Sequence, residues 1–215
     1  MMQEMPQSSS SNNSNEHSLA RRPVVFLDRD GTINVELGYI REVERLVLID
    51  GAAKAVRKLN EAGVAAILVT NQTGAARGFY SEEHIRALHE RLVDLLRQEG
   101  AFLDAIYYCP HLDGAPVAAY ALNCHCRKPA PGMVEQAFLE YSDLDRGAAF
   151  VVGDKASDIE LARNCGAKGV LVRTGYGEAV IKGEYQAFVA PDYEASSIVD
   201  GIDWILSVLP SALKS

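Results

Sequence analysis

Two aspartates separated by one residue follow an apolar run. Pro23 to Leu27 leads directly into Asp28-Arg29-Asp30-Gly31-Thr32. Carboxylates at the mouth of a buried strand are costly to hold unless a cation or a reaction requires them. In an extended backbone, residues two apart face the same side, so Asp28 and Asp30 could reach one reacting centre. The local alternative is a pair of turn or helix-capping aspartates, because Asp favours turns for reasons of its own. Two further polar clusters also end apolar runs: Thr70-Asn71-Gln72 and Asp154-Lys155. Three such sites are harder to explain by local turn chemistry than one.

A second constellation is built from sulfur. Cys109-Pro110-His111 is followed by twelve residues and then Cys124-His125-Cys126. In a chain without an export signal this spacing predicts metal ligation rather than disulfides. Cys109, His111, Cys124 and Cys126 form a Cys₃His set suited to a closed, tetrahedral structural Zn²⁺. His125, flanked by two ligating cysteines, should point away. A loop this long inside a compact domain needs something to order it. Losing zinc should therefore disorder the approach of Arg127 and Lys128 before it unfolds the domain. Cys165 is expected in the core, beside Leu161 and Ala162.

The elements that must position these residues alternate. Strands are expected at Pro23–Leu27, Val64–Thr70, Leu103–Cys109, Ala148–Val152 and Gly169–Val172, with a short one near Ala187–Ala190. Helices are expected over Gly51–Glu61, Glu82–Glu99 after a Ser81 cap, Pro131–Tyr141, Ser157–Cys165 and Ser196–Leu209. Alternation of this kind implies βαβ units, a central parallel sheet and helices on both faces, an α/β three-layer sandwich. Ligands in such sheets bind beyond the carboxyl ends of the strands, where all three polar clusters fall.

A chain of 215 residues suits one well-buried domain, expected over residues 23–215. Residues 1–22, rich in Ser, Asn and Gln, read as a disordered tail and as neither signal peptide nor anchor. A net charge of −8 and a pI near 5.1 argue against broad binding to nucleic acid or an anionic membrane. No apolar stretch approaches the roughly 18 residues needed to span a bilayer. Cytoplasmic residence and a monomeric state are the corresponding expectations.

The blocks FLDRDGTIN, LVTNQTGAARGFYSEE, CPH with CHCRKPAPGM, VVGDKASD and LVRTG stand in one order between Pro23 and Gly175. In that order the chain resembles haloacid dehalogenase-superfamily phosphatases, and more narrowly the D,D-heptose 1,7-bisphosphate phosphatase family. The resemblance implies a haloacid dehalogenase-like Rossmannoid fold and Mg²⁺-dependent removal of the C7 phosphate from a small phosphorylated sugar. No insertion near Gly31–Gly51 or after Thr70 is long enough for a separate cap domain.

Hydrolysis of a phosphate monoester needs a nucleophile, neutralised phosphoryl oxygens and a proton for the leaving alkoxide. Asp28 would attack phosphorus and become an aspartyl phosphate. Asp30 would protonate the leaving oxygen and then take a proton from water. Thr70 and the Asn71 N–H would hold the phosphoryl group, and Lys128 would supply positive charge to a loose transition state. Mg²⁺ would be held by Asp28, the Asp30 carbonyl and Asp154, hard oxygen ligands that suit it. By resemblance, Arg127 recognises substrate and Lys155 touches the bound phosphosugar. Also by resemblance, Glu36, Gly38, Tyr39, Asn71, Gln72 and Thr73 lie in substrate-contacting segments. Arg77 could bind a distal phosphate or be an ordinary exposed loop arginine. Asp158 could support the site or simply sit at a helix N-terminus.

Around Glu36-Leu37 the chain departs from the family pattern, which bears on the sugar rather than on the reaction. The competing reading is a histidinol-phosphate phosphatase, which shares the aspartates and a similar zinc loop. A third is a non-catalytic zinc-binding interaction module, although all five residues Asp28, Asp30, Thr70, Lys128 and Asp154 are intact.

Overall fold

The computed structural model describes residues 21–209. Six strands form one sheet: β1 (Arg22–Leu27), β2 (Ala65–Asn71), β3 (Ala105–Cys109), β4 (Leu144–Gly153), β5 (Lys168–Val172) and β6 (Tyr193–Ala195). All pairs are parallel, in the order β3-β2-β1-β4-β5-β6. The helices are α1 (Ala52–Glu61), α2 (Glu82–Gln98), α3 (Gly132–Glu140), α4 (Ala156–Cys165), α5 (Gly177–Ile181) and α6 (Ile198–Val208).

Strand alternation sorts the core into two layers. Val25, Leu27, Ala66 and Leu68 pack with Leu59 of α1, Leu92 of α2 and Ile202 of α6. Their neighbours Val24, Phe26, Ala65 and Ile67 pack on the other face with Val134 of α3 and Leu161 of α4. Because β1 and β2 are buried on both faces, they read as continuous apolar runs rather than alternating ones. The chain leaves β1 in one direction to β2 and returns on its far side at β4, so a crevice opens where these strands end. Between β1 and α1, and between β2 and α2, the described residues form loops and turns with no inserted domain.

Several expectations need correction. Ala187–Ala190 is not a strand; the sixth strand is β6, at Tyr193–Ala195. Its place is set by Asp192, whose N–H donates to the Gly169 carbonyl while its carboxylate accepts from the Gly169 N–H. Phe188, in the expected strand, is exposed instead. β4 begins earlier than the apolar run suggested, because Leu144 already pairs with Arg22 before an irregular, exposed stretch through Gly147. Arg22 belongs to β1 rather than to the tail, where Asp104 and Asp143 hold it. The short helix α5 was not expected. The rest of the expected tail, residues 1–20, lies outside the described residues.

Leu68 is fully buried at the centre of β2. Leu68→Ala should lower unfolding free energy by about 2–5 kcal/mol, read from urea denaturation with an unchanged slope.

Candidate active site

The strand ends bring the three polar clusters together around a cavity of about 670 Å³. All thirteen expected catalytic and substrate-contacting residues border it: Asp28, Asp30, Thr70, Lys128, Glu36, Gly38, Tyr39, Asn71, Gln72, Thr73, Arg77, Arg127 and Lys155. Asp154 lies beneath its floor, 0% exposed. Tyr80 of the β2–α2 loop and Tyr176, Tyr185 and Gln186 from the C-terminal third also line it, and sequence reasoning assigned them nothing.

Charge organises the floor. The Lys128 ammonium, 4% exposed, lies 2.8 Å from Asp28 and 2.7 Å from Asp158, and donates to the Val69 carbonyl at 2.9 Å. Lys155 sits 2.9 Å from Asp154, 3.3 Å from Glu36 and 3.9 Å from Asp28. Burial pushes the Asp28 carboxyl up, but the neighbouring Lys128 and Lys155 outweigh it and hold the group below its ordinary value. Asp28 is therefore an anion at neutral pH. Burial lowers and the two aspartates raise Lys128, whose net shift is upward, so it stays charged.

Three buried carboxylates thus face two ammonium groups. Burial, with Asp28 and Asp158 adding to it, pushes Asp154 up to about 7 despite Lys155. Carboxylate oxygens of Asp28, Asp154 and Asp158 all lie within 4.8 Å of one another. This hard-oxygen set, short of positive charge, fits a divalent cation of the Mg²⁺ kind. Asp158 serves Lys128 with one oxygen, while the other accepts the Lys155 N–H at the start of α4. Both readings of Asp158 therefore hold at once.

A loop that the sequence left without a role closes this floor from above. The Tyr176 N–H donates to Asp154 at 2.8 Å, and the Thr174 hydroxyl donates to the Gly31 carbonyl at 2.6 Å. Gly31 and Gly175 both have positive φ, and a Cβ at either would collide with the Asp154 carboxylate. The β1 and β5 turns can approach Asp154 only because both positions lack a side chain.

Asp30 is held differently. Arg29 donates to both of its oxygens at 2.9–3.2 Å, and Asn34 and Gln72 each add a bond of 2.9 Å. Gln72 also donates to the Thr70 hydroxyl oxygen at 3.0 Å. That leaves the Thr70 proton available for another acceptor. The Gln72 amide nitrogen is thus engaged within the protein, although the residue borders the cavity.

In the cysteine loop, the sulfurs of Cys109, Cys124 and Cys126 lie 3.1–3.4 Å apart. His111 Nδ1 is 3.4 Å from Cys126 and 3.7 Å from Cys109. Zinc at about 2.3 Å from sulfur separates tetrahedral ligands by about 3.5–3.8 Å, so a modest expansion of this cluster fits it. His125 turns outward to Glu135 at 2.7 Å, as expected. Cys165 stands apart, half-buried against the α3–α4 layer.

The loop aims the basic residues. Arg127 donates to the His111 carbonyl at 3.1 Å, and Asn71 grips the Lys128 backbone at both N–H and carbonyl, each at 3.1 Å. Val117 donates to the Ala76 carbonyl at 3.1 Å, bracing the turn that carries Arg77. Arg77 in turn lies over the Tyr39 ring at the cavity rim, and Tyr39 meets Phe79 edge-on. Arg77 is exposed in its turn and also borders the cavity, so it stands where a distal anionic group could reach it.

Removing one partner of a buried ion pair typically costs about 3–5 kcal/mol. Lys128→Met, which leaves Asp28 and Asp158 facing one another, should show a loss of about that size in chemical denaturation. Adding Asp158→Asn should recover part of it.

A family profile described as HAD-hydrolase-like matches residues 125–200. The D-glycero-D-manno-heptose-1,7-bisphosphate 7-phosphatase of Thermosynechococcus vestitus is 50% identical over 192 residues, covering 87% of this chain and 97% of the relative. The D-glycero-beta-D-manno-heptose-1,7-bisphosphate 7-phosphatase of Escherichia coli is 40% identical over 197 residues, covering 89% and 94%. Among solved structures, the D,D-heptose 1,7-bisphosphate phosphatase of B. bronchiseptica, complexed with magnesium and phosphate, superposes with a TM-score of 0.76. It shares 28% identity and covers 87% of this chain and 99% of its own. The chain belongs to the heptose-1,7-bisphosphate 7-phosphatase family of haloacid dehalogenase-like hydrolases.

Proposed function

We propose that the chain hydrolyses D-glycero-D-manno-heptose 1,7-bisphosphate to heptose 1-phosphate. The observation that carries this reading is Asp28 between the buried Lys128 ammonium and the half-buried Lys155 ammonium, beside a carboxylate fixed by three side chains. The names of the relatives support the sugar. The histidinol-phosphate reading has no such support, and the intact charged site disfavours a non-catalytic zinc module.

An Asp28 oxygen attacks phosphorus, the bond from phosphorus to the C7 oxygen breaks, and Asp30 gives that oxygen a proton. Asp30, now a base, accepts a proton from the water that attacks phosphorus and releases Asp28. Lys128, the Thr70 hydroxyl and the Asn71 N–H hold the phosphoryl oxygens throughout. Asp28, the Asp30 carbonyl and Asp154 would hold Mg²⁺, which would supply further neutralisation of phosphoryl charge. Cys109, His111, Cys124 and Cys126 would hold Zn²⁺, which would order the loop that presents Arg127 and Lys128. Arg77, Arg127 and Lys155 serve the anionic ends of the substrate. Glu36, Gly38, Tyr39 and Thr73 line its hydroxyl-bearing body.

The same reading makes the protein a cytoplasmic monomer that works without nucleic acid or membrane. No helix among the described residues is long and apolar enough to cross a membrane.

Asp28→Asn should abolish turnover, and excess EDTA should stop the wild-type enzyme; substantial activity in either case would overturn the mechanism. The substrate is tested by comparing kcat/KM for heptose 1,7-bisphosphate and histidinol phosphate, with the former expected to be higher. Protein purified without added metal should contain about one zinc per chain. Stripping that zinc should lower phosphatase activity at temperatures where far-UV circular dichroism is unchanged.

A further inference from the structure

Arg29 stands between the two aspartates and is only 1% exposed. Burying a guanidinium is expensive unless its charge is used. Its sole salt-bridge partner among the described residues is Asp30. Nε lies 3.2 Å from Asp30 Oδ1, and the second guanidinium nitrogen reaches both oxygens at 3.0 and 2.9 Å. The remaining nitrogen is buried without a partner. A side chain placed for stability alone would be expected to satisfy that group.

The backbone supports the same grip. The Arg29 carbonyl accepts from the N–H groups of Thr32, Ile33 and Asn34, so the turn that carries Asn34 to Asp30 closes on Arg29 itself. Nearby on α2, His89 is buried and its Nε2 has no partner. Burial and the Arg29 charge push it down to about 3, so His89 is uncharged at neutral pH.

We infer that Arg29 is a positioning residue whose planar fork fixes the rotation of the Asp30 carboxylate for both proton transfers. The inference rests on the phosphatase reading and deepens it. A guanidinium can hold both oxygens at once, whereas a lysine ammonium restores charge without the fork.

The two half-reactions separate this role from a structural one. Transfer of phosphorus to Asp28 from 2,4-dinitrophenyl phosphate expels an anion that needs no proton. Transfer from an alkyl phosphate requires Asp30 to protonate the leaving oxygen. Hydrolysis of the aspartyl phosphate requires Asp30 to deprotonate water, whichever ester was used.

Arg29→Met and Arg29→Lys should therefore lose kcat on a sugar phosphate by on the order of 100-fold and 10-fold respectively, with KM within about twofold. Both should still release one equivalent of dinitrophenol per enzyme in a burst at a near wild-type rate, followed by slow turnover. If Arg29→Met does not fold, Arg29→Lys carries the test. A wild-type kcat for Arg29→Lys, or an equal loss in the burst and in sugar-phosphate turnover, would overturn the inference. Failure of the wild-type protein to hydrolyse either ester would instead overturn the phosphatase reading.

Discussion

The site depends on one buried ammonium group. Lys128 joins Asp28, at the end of β1, to Asp158, in the first turn of α4, through contacts of 2.8 and 2.7 Å. Without it, two anions would face one another in a medium that screens them poorly, and one would protonate or move away. With it, Asp28 remains ionised and aimed into the cavity. On the proposed mechanism, the interaction that keeps Asp28 anionic also places positive charge beside the developing phosphoryl charge.

A lysine can hold such a position only if its backbone is fixed. Lys128 belongs to a loop with little regular structure, and its constraints come from two sides. Asn71 at the end of β2 pins its peptide groups, and the Cys₃His cluster pins the chain just before it. The same loop braces the Arg77 turn through Val117. The cysteine loop therefore touches both the Lys128 approach and the Arg77 turn, and a zinc ion held there would order both. A domain of this size has its own core, so on the proposed reading the loss of zinc acts on the site before it acts on folding.

Much of this was legible in the sequence because chemistry at fixed spacing leaves few alternatives. Asp28 and Asp30 at a strand mouth, the C-x-H and C-x-C pairs, and polar residues ending three apolar runs all fell where expected. What was not legible depends on three-dimensional approach. Arg29 between two aspartates looks like any solvated charge until its burial is known. The Thr174–Tyr176 turn contributes a hydroxyl, a peptide N–H and a glycine that lets Asp154 come close, none of which a spacing pattern records. Gln72 looks like a substrate contact, yet its amide nitrogen is engaged by Asp30 and Thr70. The sixth strand was misplaced because a short apolar run at Ala187–Ala190 looked more strand-like than Tyr193–Ala195, whose position is set by the paired bonds of Asp192 with Gly169.

On the proposed mechanism, phosphorus passes through Asp28. This is tested most directly by mixing enzyme with ³²P-labelled substrate, quenching in acid within one turnover, and mapping the labelled peptide. An acid-stable, alkali-labile phosphate on the peptide that carries Asp28 is expected. Phosphate on a different residue, or release of phosphate at the full rate with no protein-bound label at any time, would contradict it.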